Sequence, residues 1–119
     1  MSWRTDDGSV DYRQIGADLD RLGKIWADLD HAQRLLEKTK DTVFAKLVFE
    51  RVEAGESRSK AELAVKASDA WENHIYATVA ARHQANLAKV AYEAAKAEYE
   101  ALRTAEATRR VEMNTLHRS

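Results

Sequence analysis

The sequence contains no cysteine and no proline, and only four glycines in 119 residues. Without cysteine there is no disulfide framework and no thiolate metal site, which fits a reducing compartment. Without proline, no ring clash or missing N–H interrupts a helix from within. The isolated glycines exclude a glycine-rich phosphate loop. No stretch approaches the roughly 20 apolar residues of a membrane span, and residues 1–8 lack the basic start and apolar run of a signal peptide. An excess of one charge is also missing: 33% of the residues are charged, with both signs interspersed and a formal net charge of -1. Overall electrostatics therefore select no partner, and affinity for nucleic acid has to come from a local basic patch. A soluble, unprocessed, cytoplasmic chain with no membrane association is expected, of a size for one domain.

What is present is helix. From residue 10 to residue 53 apolar side chains recur at alternating steps of four and three: Ile15, Leu19, Leu22, Trp26, Leu29, Leu36, Val43 and Leu47. This is the 3.5-residue seam of a coiled coil, interrupted at Gln33 and Lys40, positions that fix register or face water. Gly55 suits the left-handed residue that ends a helix. Ser59-Lys-Ala-Glu62 has the pattern of a capping box, predicting a short helix over residues 61–67. Ser68 and Asp69 offer a second cap, so the chain either breaks there or continues uninterrupted. The final helix, residues 69–113, carries two alanine-rich stripes. One runs from Tyr76 through Ala80, His83, Leu87, Val90, Ala94 and Ala97 to Ala101, the other through Ala77, Ala81, Ala88, Ala91, Ala95, Leu102 and Ala105. Two stripes suggest packing against the first helix on one side and a helix of another subunit on the other; alternatively, one stripe is a solvated surface.

The expected fold is all-α: a long antiparallel, coiled-coil-like helical hairpin with a short helix after the central turn, assembling into a homo-oligomer. Residues 1–9 read as a flexible arm, with Ser9 or Asp11 capping the first helix, and residues 10–119 as a single domain. Two readings of Trp3 stand, folding back onto the hairpin or docking on a neighbouring subunit. Near the turn, Val43, Phe44, Leu47, Val48, Phe49 and Val52 occupy almost every side of the helix. A helix apolar all round is buried all round, so further subunits or the segment after the turn are expected to cover this end.

No catalytic constellation emerges. The four histidines are scattered, and the paired Glu-x-x-His motifs of a di-metal bundle are missing. No enzymatic activity, catalytic residue, metal site or cofactor is expected. Lys38, Lys40, Lys46, Arg51, Arg58, Lys60 and Lys66 do gather toward the bend, with Phe44 and Phe49 among them. Cations that follow phosphates, combined with rings on which bases stack, are the equipment of single-strand binders. The interleaved Glu37, Asp41, Glu50, Glu53, Glu56 and Glu62 are equally what an ordinary solvated helix shows.

The run Val52-Glu-Ala-Gly55-Glu-Ser57-Arg-Ser59-Lys-Ala-Glu62-Leu-Ala-Val65-Lys-Ala-Ser68-Asp69, after a long helix and before Ala88-Lys89-Val-Ala-Tyr92 and Ala101-Leu102-Arg103, resembles phage recombination mediator proteins of the UvsY type across residues 19–103. The resemblance implies a ring-forming homo-oligomer in the bacterial host cytoplasm that binds single-stranded DNA, helps displace a single-strand-binding protein and loads a recombinase. In that family basic residues shortly before the turn contact DNA; Lys46 and Arg51 occupy that neighbourhood without forming a Lys-x-Arg pair. The expected DNA-binding residues are Lys46, Arg51, Arg58 and Lys60. The competing reading is a structural or adaptor hairpin without nucleic-acid binding, either a phage assembly component or a secreted helical-hairpin partner protein. The secreted kind usually carries Trp-x-Gly at its bend, and this bend has no tryptophan.

Overall fold

The computed structural model describes residues 2–118; Met1 of the expected arm and Ser119 at the end of the expected domain lie outside them. The described chain is all-α, with helices α1 (Tyr12–Lys38), α2 (Lys40–Glu53), α3 (Arg58–Lys66) and α4 (Asp69–Arg118). It falls into two compact units. One combines the residues up to Trp26 with those from Ala88 onward, and the other is Ala27–Leu87.

The first unit pairs the start of α1 with the later part of α4, antiparallel. Trp3, Ile15 and Ala95 are buried together, with Val10, Leu19, Leu22, Tyr99 and Leu102 packed around them. Further along α1, the Trp26 and Tyr92 rings meet at 5.6 Å. The segment expected as a flexible arm closes on itself here. Thr5 N–H donates to the Ser9 carbonyl (2.8 Å), Asp11 N–H donates to the Trp3 carbonyl (2.7 Å), and Gly8 turns the chain at φ +83°. Asp11, one of the two expected caps, accepts from Gln14 N–H at 3.1 Å. Trp3 folds back onto its own chain and is 2% exposed.

The second unit contains the remainder of α1, all of α2 and α3, and the start of α4. Its helix pair is also antiparallel: Glu37 of α1 binds Arg82 of α4, and Phe44 of α2 meets Trp71 of α4 edge-on at 5.1 Å. The expected single helix over residues 10–53 is in fact two. Thr39 ends α1, its hydroxyl donating to the Leu35 carbonyl at 2.9 Å. A threonine that bonds back to the i−4 carbonyl competes with the helix ladder and bends it. Thr39 is half-buried while Lys40 is exposed, so the polar interruption of the seam is solvated as expected. Gln33, the other interruption, is half-buried and donates from Nε2 to Asp30 at 3.2 Å.

At Gly55 the chain makes a Schellman turn. Glu56 N–H donates to the Arg51 carbonyl (3.1 Å) and Gly55 N–H to the Val52 carbonyl (3.0 Å), with Gly55 at φ +105°. The capping box predicted at Ser59 is corrected: Ser57 is the cap, extended at φ −67°, ψ 153°, and its hydroxyl accepts from Lys60 N–H. The turn needs only Gly55 and Glu56, so the helix starts two residues sooner and Glu62 pairs with Arg58 instead of reaching back. Ala61 and Val65 of α3 are then fully buried. Between α3 and α4 the chain does break: Ser68 Oγ accepts from Trp71 N–H at 3.2 Å and donates to the Val65 carbonyl at 2.6 Å.

In α4 the inward residues include Trp71, Thr78, Ala81 and Ala85 in the second unit, and Ala88, Tyr92, Ala95, Tyr99 and Leu102 in the first. The second expected stripe supplies Ala81, Ala88, Ala95 and Leu102 of this set and the first supplies none. Of the second stripe only Ala95 is buried, while Ala81, Ala88 and Leu102 are half-buried and Ala77, Ala91 and Ala105 exposed; the first stripe is exposed along its whole length.

Candidate nucleic-acid interface

The Gly55 end of the second unit carries the expected cations. α2 has no fully buried residue, although Phe44 and Val48 are half-covered by the chain itself. The expectation of burial all round is therefore met on one side alone: Phe49 is 62% exposed and Val52 39% exposed. Phe44, Val48, Phe49 and Val52 line an open groove of about 340 Å³ together with Ala45, and Arg58 and Glu62 of α3. A shallower hollow on the neighbouring face of α2 is lined by Asp41, Thr42, Ala45, Lys46, Phe49 and Glu50. Phe49 belongs to both. Lys46 thus stands on one flank of an exposed ring and Arg58 on the other.

The other two candidates lie elsewhere. Arg51 is half-buried and bonded to Glu56 Oε1 at 3.0 Å, tying the turn to the helix before it. Lys60 is exposed on α3 and lines neither hollow. Arg58 is paired with Glu62 at 3.2 Å in a bridge whose arginine is 84% exposed. A pair that open to water is worth at most about 1 kcal/mol, so a phosphate could replace the carboxylate at small cost. Lys46 and Lys60 have no ion-pair partner among the described residues. Asp41, Glu50 and Glu62 share the hollows with the cations, and their charge opposes a polyanion.

Beside this end, Trp71 meets Phe44 on one side and stacks on His74 at 5.6 Å on the other. Sequence reasoning passed over Trp71. Its signal was the step of four to Ile75 and then three to Thr78, hidden among the denser alanine stripes. No group of three or more His, Asp or Glu side chains among the described residues is placed to hold a metal ion, and no helix among them is long and apolar enough to cross a membrane. Comparison with protein-family models, with curated proteins and with solved structures returns no match for this chain.

Proposed function

We propose that this chain is a single-stranded DNA-binding recombination mediator, working as a homo-oligomer that helps load a recombinase and displace a single-strand-binding protein. The observation that carries the reading is the exposed Phe49 ring with Lys46 on one flank and Arg58 on the other. Bases stack on an exposed ring without regard to sequence while neighbouring cations hold the backbone. Lys60, in the first turn of α3, extends the cationic flank. Repetition of so small a patch around an oligomer would let weak contacts act together.

The test is fluorescence anisotropy of a labelled single-stranded oligonucleotide across a salt series. Binding is expected at low salt and falls steeply as salt rises, because phosphate contacts release counterions. Lys46→Ala/Lys60→Ala should lower the slope of log affinity against log salt by about 1 to 2. Phe49→Ala should weaken binding on the order of tenfold at unchanged slope. Absence of binding at low salt sinks the proposal.

The second reading is a protein-binding adaptor, and the observation that favours it is the carboxylates of Asp41, Glu50 and Glu62 in the same hollows. A surface of balanced charge around an apolar groove suits a protein partner better than a phosphate backbone. Wild-type protein that ignores oligonucleotides at every salt concentration, yet loses a protein partner on Phe49→Ala, would select this reading.

A further inference from the structure

α4 carries apolar residues on the side turned away from its own chain. Thr78, Ala85, Tyr92 and Tyr99, seven residues apart, face inward. The stripe opposite them steps by four and three, and its large members are open to water: Tyr76 is 63%, Leu87 51% and Val90 63% exposed. A 3.5-residue repeat is the repeat of a helix that expects another helix.

We infer that this face of α4 pairs with the same face of a second copy, antiparallel and about a two-fold axis lying between Leu87 and Val90. The argument is the order of side-chain sizes. In that register Leu87 lies against Val90 of the second copy, His83 against Ala94, Ala80 against Ala97, and Tyr76 against Ala101. Each large residue at the start of the stripe meets a small one at its end, the large-to-small alternation that lets facing layers fill space. The two halves of the stripe are thus complementary to one another, which an isologous interface requires. The parallel, in-register alternative stacks Tyr76 on Tyr76 and leaves three alanine layers at the other end.

The charges beside the stripe agree. In the antiparallel pair Glu93 lies beside Asn86 of the second copy, Glu100 beside Val79 and Glu98 beside Ala77, so no like charges meet. In the parallel pair Glu93 faces Glu98 on both sides of the seam, a repulsion of the kind that sets coiled-coil orientation. The inference deepens the homo-oligomer part of the proposed function and uses no property of the Phe49 patch.

The sequence has no cysteine, so single thiols can be placed at will. Ala80→Cys and Ala97→Cys are prepared as separate full-length proteins and treated with a short thiol-reactive crosslinker, alone and mixed. The mixture is expected to give a covalent dimer and each protein alone none, because equivalent positions in the antiparallel pair stand about 25 Å apart along the helix. Crosslinking of either protein alone would show a parallel pair and overturn the inference, and so would a wild-type chain that sediments as a monomer at high concentration. Leu87→Glu should weaken self-association about a hundredfold, since two leucines leave each interface, with helicity by circular dichroism unchanged. DNA binding is measured on the same samples. A monomer that binds DNA removes this inference alone, and a crosslinked dimer that ignores DNA removes the DNA reading alone.

Discussion

The residue that most affects the first unit is Trp3. Its indole is buried against Ile15 and Ala95, and its Nε1–H donates to Asp18 Oδ2 at 2.9 Å. Asp18 also accepts from Gln14 Nε2 at 2.9 Å, and these bonds, the Trp3 bond foremost, hold its carboxyl below the usual carboxylate value of 3.8. A group whose pKa is lowered by folding stabilises the protein above its unfolded pKa and loses that contribution as the pH falls through the folded value. Asp7, held down to about 2 by the Thr5 and Ser9 hydroxyls, behaves alike in the same loop. Acid titration below about pH 4 should therefore loosen the Trp3 loop, read as a rise in tryptophan solvent exposure, and Asp18→Asn should remove part of that pH dependence. Trp3→Ala should cost about 3 kcal/mol in urea unfolding. Two glycines should respond in opposite senses. Gly55 has open space around it but sits at φ +105°, a backbone conformation that L side chains rarely adopt, so Gly55→Ala should destabilise by about 1 kcal/mol. A Cβ on Gly23 would meet the Tyr92 ring at 3.5 Å, an ordinary contact, so Gly23→Ala in mid-helix should stabilise by about 0.5 kcal/mol.

Among the elements, the start of α3 separates what the pattern offered from what the backbone used. Ser57→Ala should cost about 1 kcal/mol, whereas Ser59→Ala, inside the helix and exposed, should stay within about 0.5 kcal/mol. Equal effects from the two would remove Ser57 as the cap. α4 ends differently from the way it begins. Past Glu106, which takes the Arg4 guanidinium at 3.5 Å, every described residue of α4 is exposed. A helix segment this open to water is only marginally stable. Amide exchange should accordingly be faster by orders of magnitude over residues 108–117 than over residues 92–102, and equal protection would show that a partner covers the end.

For the whole molecule, the proposed DNA patch and the inferred α4 pairing make a joint prediction. An oligonucleotide of about 10 nucleotides fits one patch, whereas one of about 40 can reach two. Leu87→Glu should leave affinity for the short strand unchanged and weaken affinity for the long one. Equal losses on both would mean that Leu87→Glu damages the protomer.

Much of the fold was legible because helical periodicity is a local property. The α1 seam of Ile15, Leu19, Leu22, Trp26, Leu29 and Leu36 lies inward as its spacing implied, and Gly55 ends α2 because no other residue adopts that φ so cheaply. α4 was legible in part: Ala81, Ala88, Ala95 and Leu102 of one expected stripe turn inward, but Thr78, Tyr92 and Tyr99 beside them were hidden, since a helix rich in alanine is apolar in several registers at once. Which register turns inward was set by partners distant in sequence: Tyr92 against Trp26, and Tyr99 and Ala95 against the Trp3 and Ile15 cluster. Likewise the cations near the bend were visible in the chain, but which of them stay available depends on neighbours. Arg51 is held by Glu56 and Arg58 by Glu62, while Phe49 is left open between Lys46 and Arg58. Periodicity states that a helix has a face to bury; the volumes and charges brought against it by the rest of the fold choose the face.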